Sequence, residues 1–535
     1  MHHLAVALLA FFLQDPAPLL APKLETTAEA SGYTRTSSHA EVIAFCNSLR
    51  ARGAAIRLQE IGASSGGLPM LLCATGAAAR LDARRIQRAE LPVVYVQANI
   101  HGGEVDGKEG ILALLRDLLL GEEAPLLDRV ALLVVPNYNP DGNDRFGPAS
   151  SARPGQVGPD PVGGRYNAGG LDLNRDYVKA ASPELRAVLA EVLLPWDPDV
   201  FIDLHTTNGS HHGFTLTYAP SLQPTPGEGF VAPEHFVRER LLPRARRALQ
   251  EQHGFASFDY GNFDRASAPS AWETYEHRPR FGTNYAALRG RMGILSESYS
   301  YADYRTRIAA SRAFVLELLR EIAAHGAEIR SLHREHDRRI ARWGAEPSSA
   351  PPLGIEFEMA ARPEAEVMLA GVMERGEDGR ARPTGKLEPR SVVVKDRFRA
   401  TRSVAYPAGF FLPPSELRLR EALTRHGVIV QTVLEPWSGE LERFEPRELR
   451  IQGRAFQERR LLRASGERRL AATEIPAGWV WISSAQPLGL LVSYFLDPEY
   501  EDGLIAWREC DFEAQQGTAF PVLRALAPPA GLVAR

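Results

Sequence analysis

The chain has 535 residues, 44% hydrophobic and 24% charged, a globular balance that excludes wholesale disorder and fibrous repeats and leaves room for two or three domains. Its formal net charge of −4 gives no bulk electrostatic reason to bind nucleic acid or an anionic membrane. Three cysteines (Cys46, Cys73 and Cys510) are too few for a disulfide framework or a thiolate zinc site, so a metal here has to be held by histidine and carboxylate.

Residues 4–13 (LAVALLAFFL) are ten apolar positions, about half of a membrane span and the length of a signal-peptide core. His2 and His3 stand where basic residues are usual, and Ala17 and Ala21 are candidate cleavage positions. The expectation is a signal peptide over 1–21 and an exported protein, periplasmic or secreted. No later run reaches transmembrane length, so no stable membrane insertion is expected.

Residues 40–52 predict a short amphipathic helix. Apolar, β-branched runs at 91–99, 129–136, 199–204 and 291–296 then alternate with helical patterns at 110–120 and 183–194, the latter with Ser182 as N-cap and Pro183 at its first position. Such alternation predicts an α/β fold with a largely parallel sheet covered on both faces. Residues 303–343 read as one or two Arg-rich helices interrupted near Gly326. A Pro/Ser linker at 346–353 separates a smaller β-rich region over 351–535, expected to form strands at 354–359, 391–395, 428–433, 479–483 and 488–495 and a helix at 414–426. The linker predicts a separable module downstream of a catalytic domain over 30–345.

Four polar residues fall at the carboxyl ends of the predicted strands, the edge where open α/β sheets place their sites. His101 and Glu104 share a Gly-rich turn (His101-Gly-Gly-Glu104) after the first strand, His205 ends the third, and Glu297 ends the fourth. Two imidazoles and one carboxylate make a zinc site with an open position for water, and a fourth carboxylate that is not a ligand can shuttle the proton. His101, Glu104 and His205 are therefore the expected ligands of one zinc ion per chain, and Glu297 the expected acid–base residue. Asp203 is a candidate to orient a ligand from behind. His211 and His212, close after His205, are better explained by a mobile loop than by a second metal site.

These motifs resemble the zinc carboxypeptidases of the carboxypeptidase A type. The likeness covers about residues 30–340: the His-x-x-Glu pair at His101 and Glu104, Asn139-Pro-Asp-Gly142, Asn174-Arg175, and strands ending in His205 and Glu297. It implies a mixed sheet flanked by helices and substrates that are peptides with a free carboxy-terminal carboxylate. By the resemblance, Asn174 and Arg175 would hold that carboxylate, a task suited to a planar guanidinium. A further arginine would polarise the scissile carbonyl; Arg145 and Arg165 both lie in the right interval, and Arg145 is preferred. A tyrosine would close over substrate, with Tyr285 preferred over Tyr275. The alternatives are a same-fold zinc amidase or deacylase acting on cell-wall peptides or N-acyl amino acids, and an inactive peptide- or cell-wall-binding protein.

Overall fold

The structure, a computed structural model, describes residues 24–222, 233–264, 268–375 and 381–535; the apolar stretch 4–13 and the cleavage candidates lie outside them. No helix among the described residues is long and apolar enough to cross a membrane.

Strands β1 (Ile56–Ala63), β2 (Pro69–Gly76), β3 (Val93–Ala98), β4 (Ala131–Val135), β5 (Val200–Thr206), β6 (Leu216–Pro220), β7 (Ser257–Asp259) and, after the short β8 (Asn262–Phe263) and β9 (Ala271–Glu273), β10 (Met292–Ser298) follow in chain order. Without β8 and β9 they build one eight-stranded sheet in the order β1-β2-β4-β3-β5-β10-β6-β7. The central four, β4, β3, β5 and β10, are parallel. The hairpin β1–β2 joins one side antiparallel, and β6 runs antiparallel to β10.

The central strands are apolar throughout because both faces are covered. Alternate side chains enter two cores: Tyr95 and Phe201 on one face, Val94, Val96 and Ile202 on the other. Helices Asp106–Leu120, Leu242–His253 and Tyr304–Ala324 cover the second face, and Pro183–Val188 and Gly282–Leu288 the first. Ser182 caps Pro183–Val188, its side chain accepting from the Leu185 N–H. The pattern at 303–343 is two helices, Tyr304–Ala324 and Gly326–Ala345; a Cβ at Gly326 would stand 2.9 Å from the Pro92 ring, so the junction needs glycine. From β3 the chain crosses to β4 on one side and later to β5 on the other. The loops therefore part above the carboxyl end of β3, which leaves a crevice there.

The carboxy-terminal region is β-rich. A long hairpin, β11 (Leu353–Arg375) and β12 (Ala381–Val404), pairs through β9 with β8. Then β13 (Gly409–Leu412), β14 (Gln431–Thr432), β15 (Trp437–Ile451), β16 (Leu462–Ile475), β17 (Val480–Ser483) and β18 (Leu523–Ala525) form a six-stranded sheet. Two expectations change here. Residues 488–495 belong to a helix, Gly489–Leu496, because a short apolar run carries no period that separates strand from buried helix. Of 428–433, only Gln431–Thr432 is strand. The region is also not loosely tethered: Phe410, Leu419, Phe495 and Trp507 share one continuous apolar cluster with Tyr95, Tyr177, Phe201 and Tyr285.

Candidate active site

His101 and Glu104 lie in the turn after β3. A Cβ at Gly102 would stand 2.1 Å from the Gly142 carbonyl carbon, so only glycine lets this turn press on the Asn139-Pro-Asp-Gly142 segment. Asn139 staples the two, donating to the carbonyls of Ile100 (3.1 Å) and Arg165 (3.2 Å) and accepting from the Gly142 N–H (2.8 Å). His205 is on β5, and Glu297 pairs with it in register on the parallel neighbour β10.

His101, Glu104 and His205 are all buried, with one ligand atom from each within 4.8 Å of the others. Both rings turn Nδ1 to the same carboxylate: His101 Nδ1 is 3.0 Å from Glu104 Oε1, and His205 Nδ1 is 2.9 Å from Oε2. Both turn Nε2 to an aspartate, His101 to Asp172 and His205 to Asp203, each at 3.0 Å. Carboxylates behind imidazoles are the usual support of metal-ligating histidines. His101 Nδ1 makes no aligned hydrogen bond despite its burial, as a nitrogen whose lone pair serves a cation would. The donor set fits zinc.

Electrostatics agree. Burial alone would raise the Glu104 carboxyl, but His101 and Arg153 beside it hold it well below the usual range. Burial would lower His205, yet Asp203 and Glu104 raise it well above an ordinary imidazole, a measure of how strongly the site favours positive charge. Glu297, by contrast, is pushed up to about 8 by burial, with His205 opposing.

These groups line a cavity of about 270 Å3 that also holds Arg165, Asn174, Arg175, Tyr260, Tyr275 and Phe281. Arg165 gives Nε and Nη2 to Asp172 Oδ2 (3.0 and 2.7 Å) and brings Nη1 to 3.7 Å from Glu104. Asn174 accepts from the Gly282 N–H at 3.0 Å. Arg175 stacks on Phe281, 4.0 Å from the ring centroid, and donates to the Asn174 carbonyl at 2.8 Å.

Two preferences from the sequence are corrected. Arg145 is exposed outside the cavity, donating to the Asn167 carbonyl at 3.3 Å, and Arg165 occupies the wall instead. Tyr285 cannot swing over substrate. It is buried in the core shared with the carboxy-terminal region, its hydroxyl 2.7 Å from His426 Nδ1. Tyr275 is half-buried in the cavity wall, its hydroxyl 2.8 Å from Thr283 Oγ1.

His211 and His212 join no metal cluster among the described residues. His211 stacks on Tyr301 and accepts the Gly371 N–H at its carbonyl, and His212 bridges to Ala370, which ties this loop to the long hairpin. Arg153, Tyr260 and Phe281 went unnoticed in the sequence. Arg153 donates to Glu104 Oε1 at 2.9 Å and to the Thr206 carbonyl at 2.8 Å. Its one signal is the second glycine of the turn, since a Cβ at Gly103 would stand 2.8 Å from Arg153 Cγ.

An α/β sheet whose carboxyl edge carries a buried two-histidine, one-carboxylate cluster with a further glutamate beside it is a candidate metal centre. Residues 42–211 match the family described as zinc carboxypeptidase. Among curated proteins, it is 34% identical over 114 residues to "Probable carboxypeptidase 2" of Arthroderma benhamiae, covering 21% of this chain and 18% of that one. It is 31% identical over 125 residues to mouse carboxypeptidase D, covering 22% and 8%. The chain thus spans less than a fifth of the length of these relatives. Among solved structures, a metallo-carboxypeptidase from Burkholderia cenocepacia aligns with a TM-score of 0.40 and 20% identity, over 54% of this chain and 70% of that one.

Proposed function

We propose that the protein is a zinc metallocarboxypeptidase that removes the carboxy-terminal residue of peptides or proteins. The carrying observation is one cavity in which the His101–Glu104–His205 cluster meets both Glu297 and the Asn174–Arg175 pair. Those three residues would hold one zinc ion, which supplies a Lewis acid and lowers the pKa of water. Arg175, its guanidinium plane fixed against Phe281, binds the substrate's terminal carboxylate through parallel hydrogen bonds, with Asn174 beside it. Arg165 offers positive charge to the scissile carbonyl and to the oxyanion formed from it. Glu297 takes the proton of the attacking water on its carboxylate and returns it to the leaving amine. Tyr275 covers the substrate. Export through residues 4–13 completes the proposal, with the mature amino terminus expected near Ala21.

The test is product analysis. Single amino acids should be released in sequence from the carboxyl end of a peptide, with activity lost on chelation and restored by zinc. Internal fragments, or cleavage indifferent to the chain end, would favour an amidase or endopeptidase instead.

A further inference from the structure

The carboxyl-binding pair does not stand on its own domain alone. Phe281, the ring under Arg175, ends a segment whose arginines are gripped from the carboxy-terminal region. Arg280 donates its backbone N–H (2.9 Å) and Nε (2.8 Å) to Asp502, which also accepts from Trp507 Nε1 at 2.9 Å. The Arg280 guanidinium carbon lies 5.1 Å from the ring centroids of both Phe456 and Trp507, which stack on each other. Arg278 donates to Glu501 at 2.8 Å. The same segment reaches back to the pair: the Gly282 N–H donates to Asn174 Oδ1, and the Tyr177 N–H to the Arg280 carbonyl at 3.4 Å.

A second grip falls on Asp172, which holds His101 and Arg165, accepts the Asn174 N–H at 3.0 Å through Oδ1 and stands 4.0 Å from Arg175 Nη1 through Oδ2. Its backbone N–H donates to Gln457 Oε1 at 2.8 Å. Gln457 and its neighbour Glu458 both sit at left-handed backbone angles, φ 50° and 61°, unusual for residues with a Cβ. A tip strained in this way and ending in a hydrogen bond to the site is built to reach it.

We propose that the carboxy-terminal region is part of the substrate site: Asp502, through Arg280 and Phe281, and Gln457, through Asp172, position Arg175 and Asn174 for the terminal carboxylate. This rests on the carboxypeptidase reading. Asp502 and Gln457 are positioning residues and touch no substrate. Their loss lets the guanidinium wander on its Phe281 platform, and a misplacement of about 1 Å at such a clamp costs on the order of 100-fold. That cost falls on binding of the free carboxylate and spares the proton transfer at Glu297.

The test compares full-length wild type, Asp502→Asn, Asp502→Glu and Gln457→Gly. Gln457→Gly suits the left-handed angle and removes only the acceptor, so it decides the matter should Asp502→Asn fail to fold. Substrates are hippuryl-phenylalanine, hippuryl-leucine and hippuryl-arginine, each with a free or an amidated end. The expected result is KM for free-ended peptides raised roughly 10- to 100-fold, kcat nearly unchanged, cleavage of capped peptides unmoved and zinc content intact. Asp502→Glu should recover part of the loss. Calorimetry on metal-free protein should show the same weakening for the free-ended peptides, independently of turnover. Gln457→Gly and any folded Asp502→Asn with wild-type KM and wild-type free-over-capped preference would overturn the inference. A wild type without that preference would overturn the carboxypeptidase reading itself, and the inference with it.

Discussion

Glu297 stands opposite His205 across the parallel pair β5–β10, one residue of each strand in register at the carboxyl edge of the sheet. The pairing fixes Glu297 beside the cluster by backbone hydrogen bonds rather than by loop geometry. Only the side chain, half-buried in the cavity wall, has freedom left.

The first prediction concerns the metal. Purified protein should hold one zinc ion per chain by elemental analysis, and His101→Ala and His205→Ala should each lose it. Asp172→Asn and Asp203→Asn remove only the carboxylate behind a ring, so zinc affinity should drop by about 10- to 100-fold. Full occupancy in the histidine variants would remove the cluster from consideration.

Glu297→Gln keeps shape and cannot accept a proton. Turnover should fall by ~10²–10⁴-fold with zinc retained. The metal-free protein offers a second readout. A carboxyl whose folded pKa is raised keeps a proton that the unfolded chain releases, so stability is lost as pH climbs from the ordinary carboxylate range to about 8. Metal-free Glu297→Gln has no such proton. It should melt above metal-free wild type near pH 8, and the gap should narrow near pH 5. A gap independent of pH would contradict the raised carboxyl.

Arg165 and Arg145 separate cleanly in kinetics. Arg165→Met should lower kcat by about 10²–10³-fold, the scale for removing an oxyanion donor. Arg145→Met, at an exposed site outside the cavity, should leave kcat within about twofold, as surface changes do. The reverse pattern would restore the sequence-based preference.

Strand-end chemistry was legible without coordinates. His101, Glu104, His205 and Glu297 each follow an apolar run that has to be a buried strand, and the carboxyl edge of such a sheet is one place. Arg145 against Arg165, and Tyr285 against Tyr275, were not legible, because each choice depends on how a loop folds back. Asp172 draws Arg165 inward, while Tyr285 faces a core half of which lies more than 100 residues downstream, at His426. Gln457 reaches the site through long-range approach and left no local pattern at all, and Arg153 left only the glycine at 103 that it packs against. The helix at Gly489–Leu496 was hidden for a simpler reason, since an eight-residue apolar run suits a strand equally well.

The linker at 346–353 suggested a module that could be removed, and the shared core argues the opposite. Cutting after Ala345 strips Phe410, Leu419, Phe495 and Trp507 from the cluster around Tyr177 and Tyr285, each worth roughly 1.5–3 kcal/mol of burial. The fragment 24–345 should be insoluble or should lack a cooperative melt. A soluble, active fragment would show that the first part is stable without its cover.

The most direct measurement is the ratio of kcat/KM for one peptide with a free carboxyl end and the same peptide capped as a carboxamide, in wild type and in Arg175→Met. Losing a charge-assisted pair at a desolvated site costs roughly 2–5 kcal/mol, on the order of 30-fold to several-thousand-fold in kcat/KM. Wild type should therefore prefer the free end strongly, while Arg175→Met keeps its zinc and loses most of that preference. Equal cleavage of both peptides by the wild type would contradict the assignment as a carboxypeptidase.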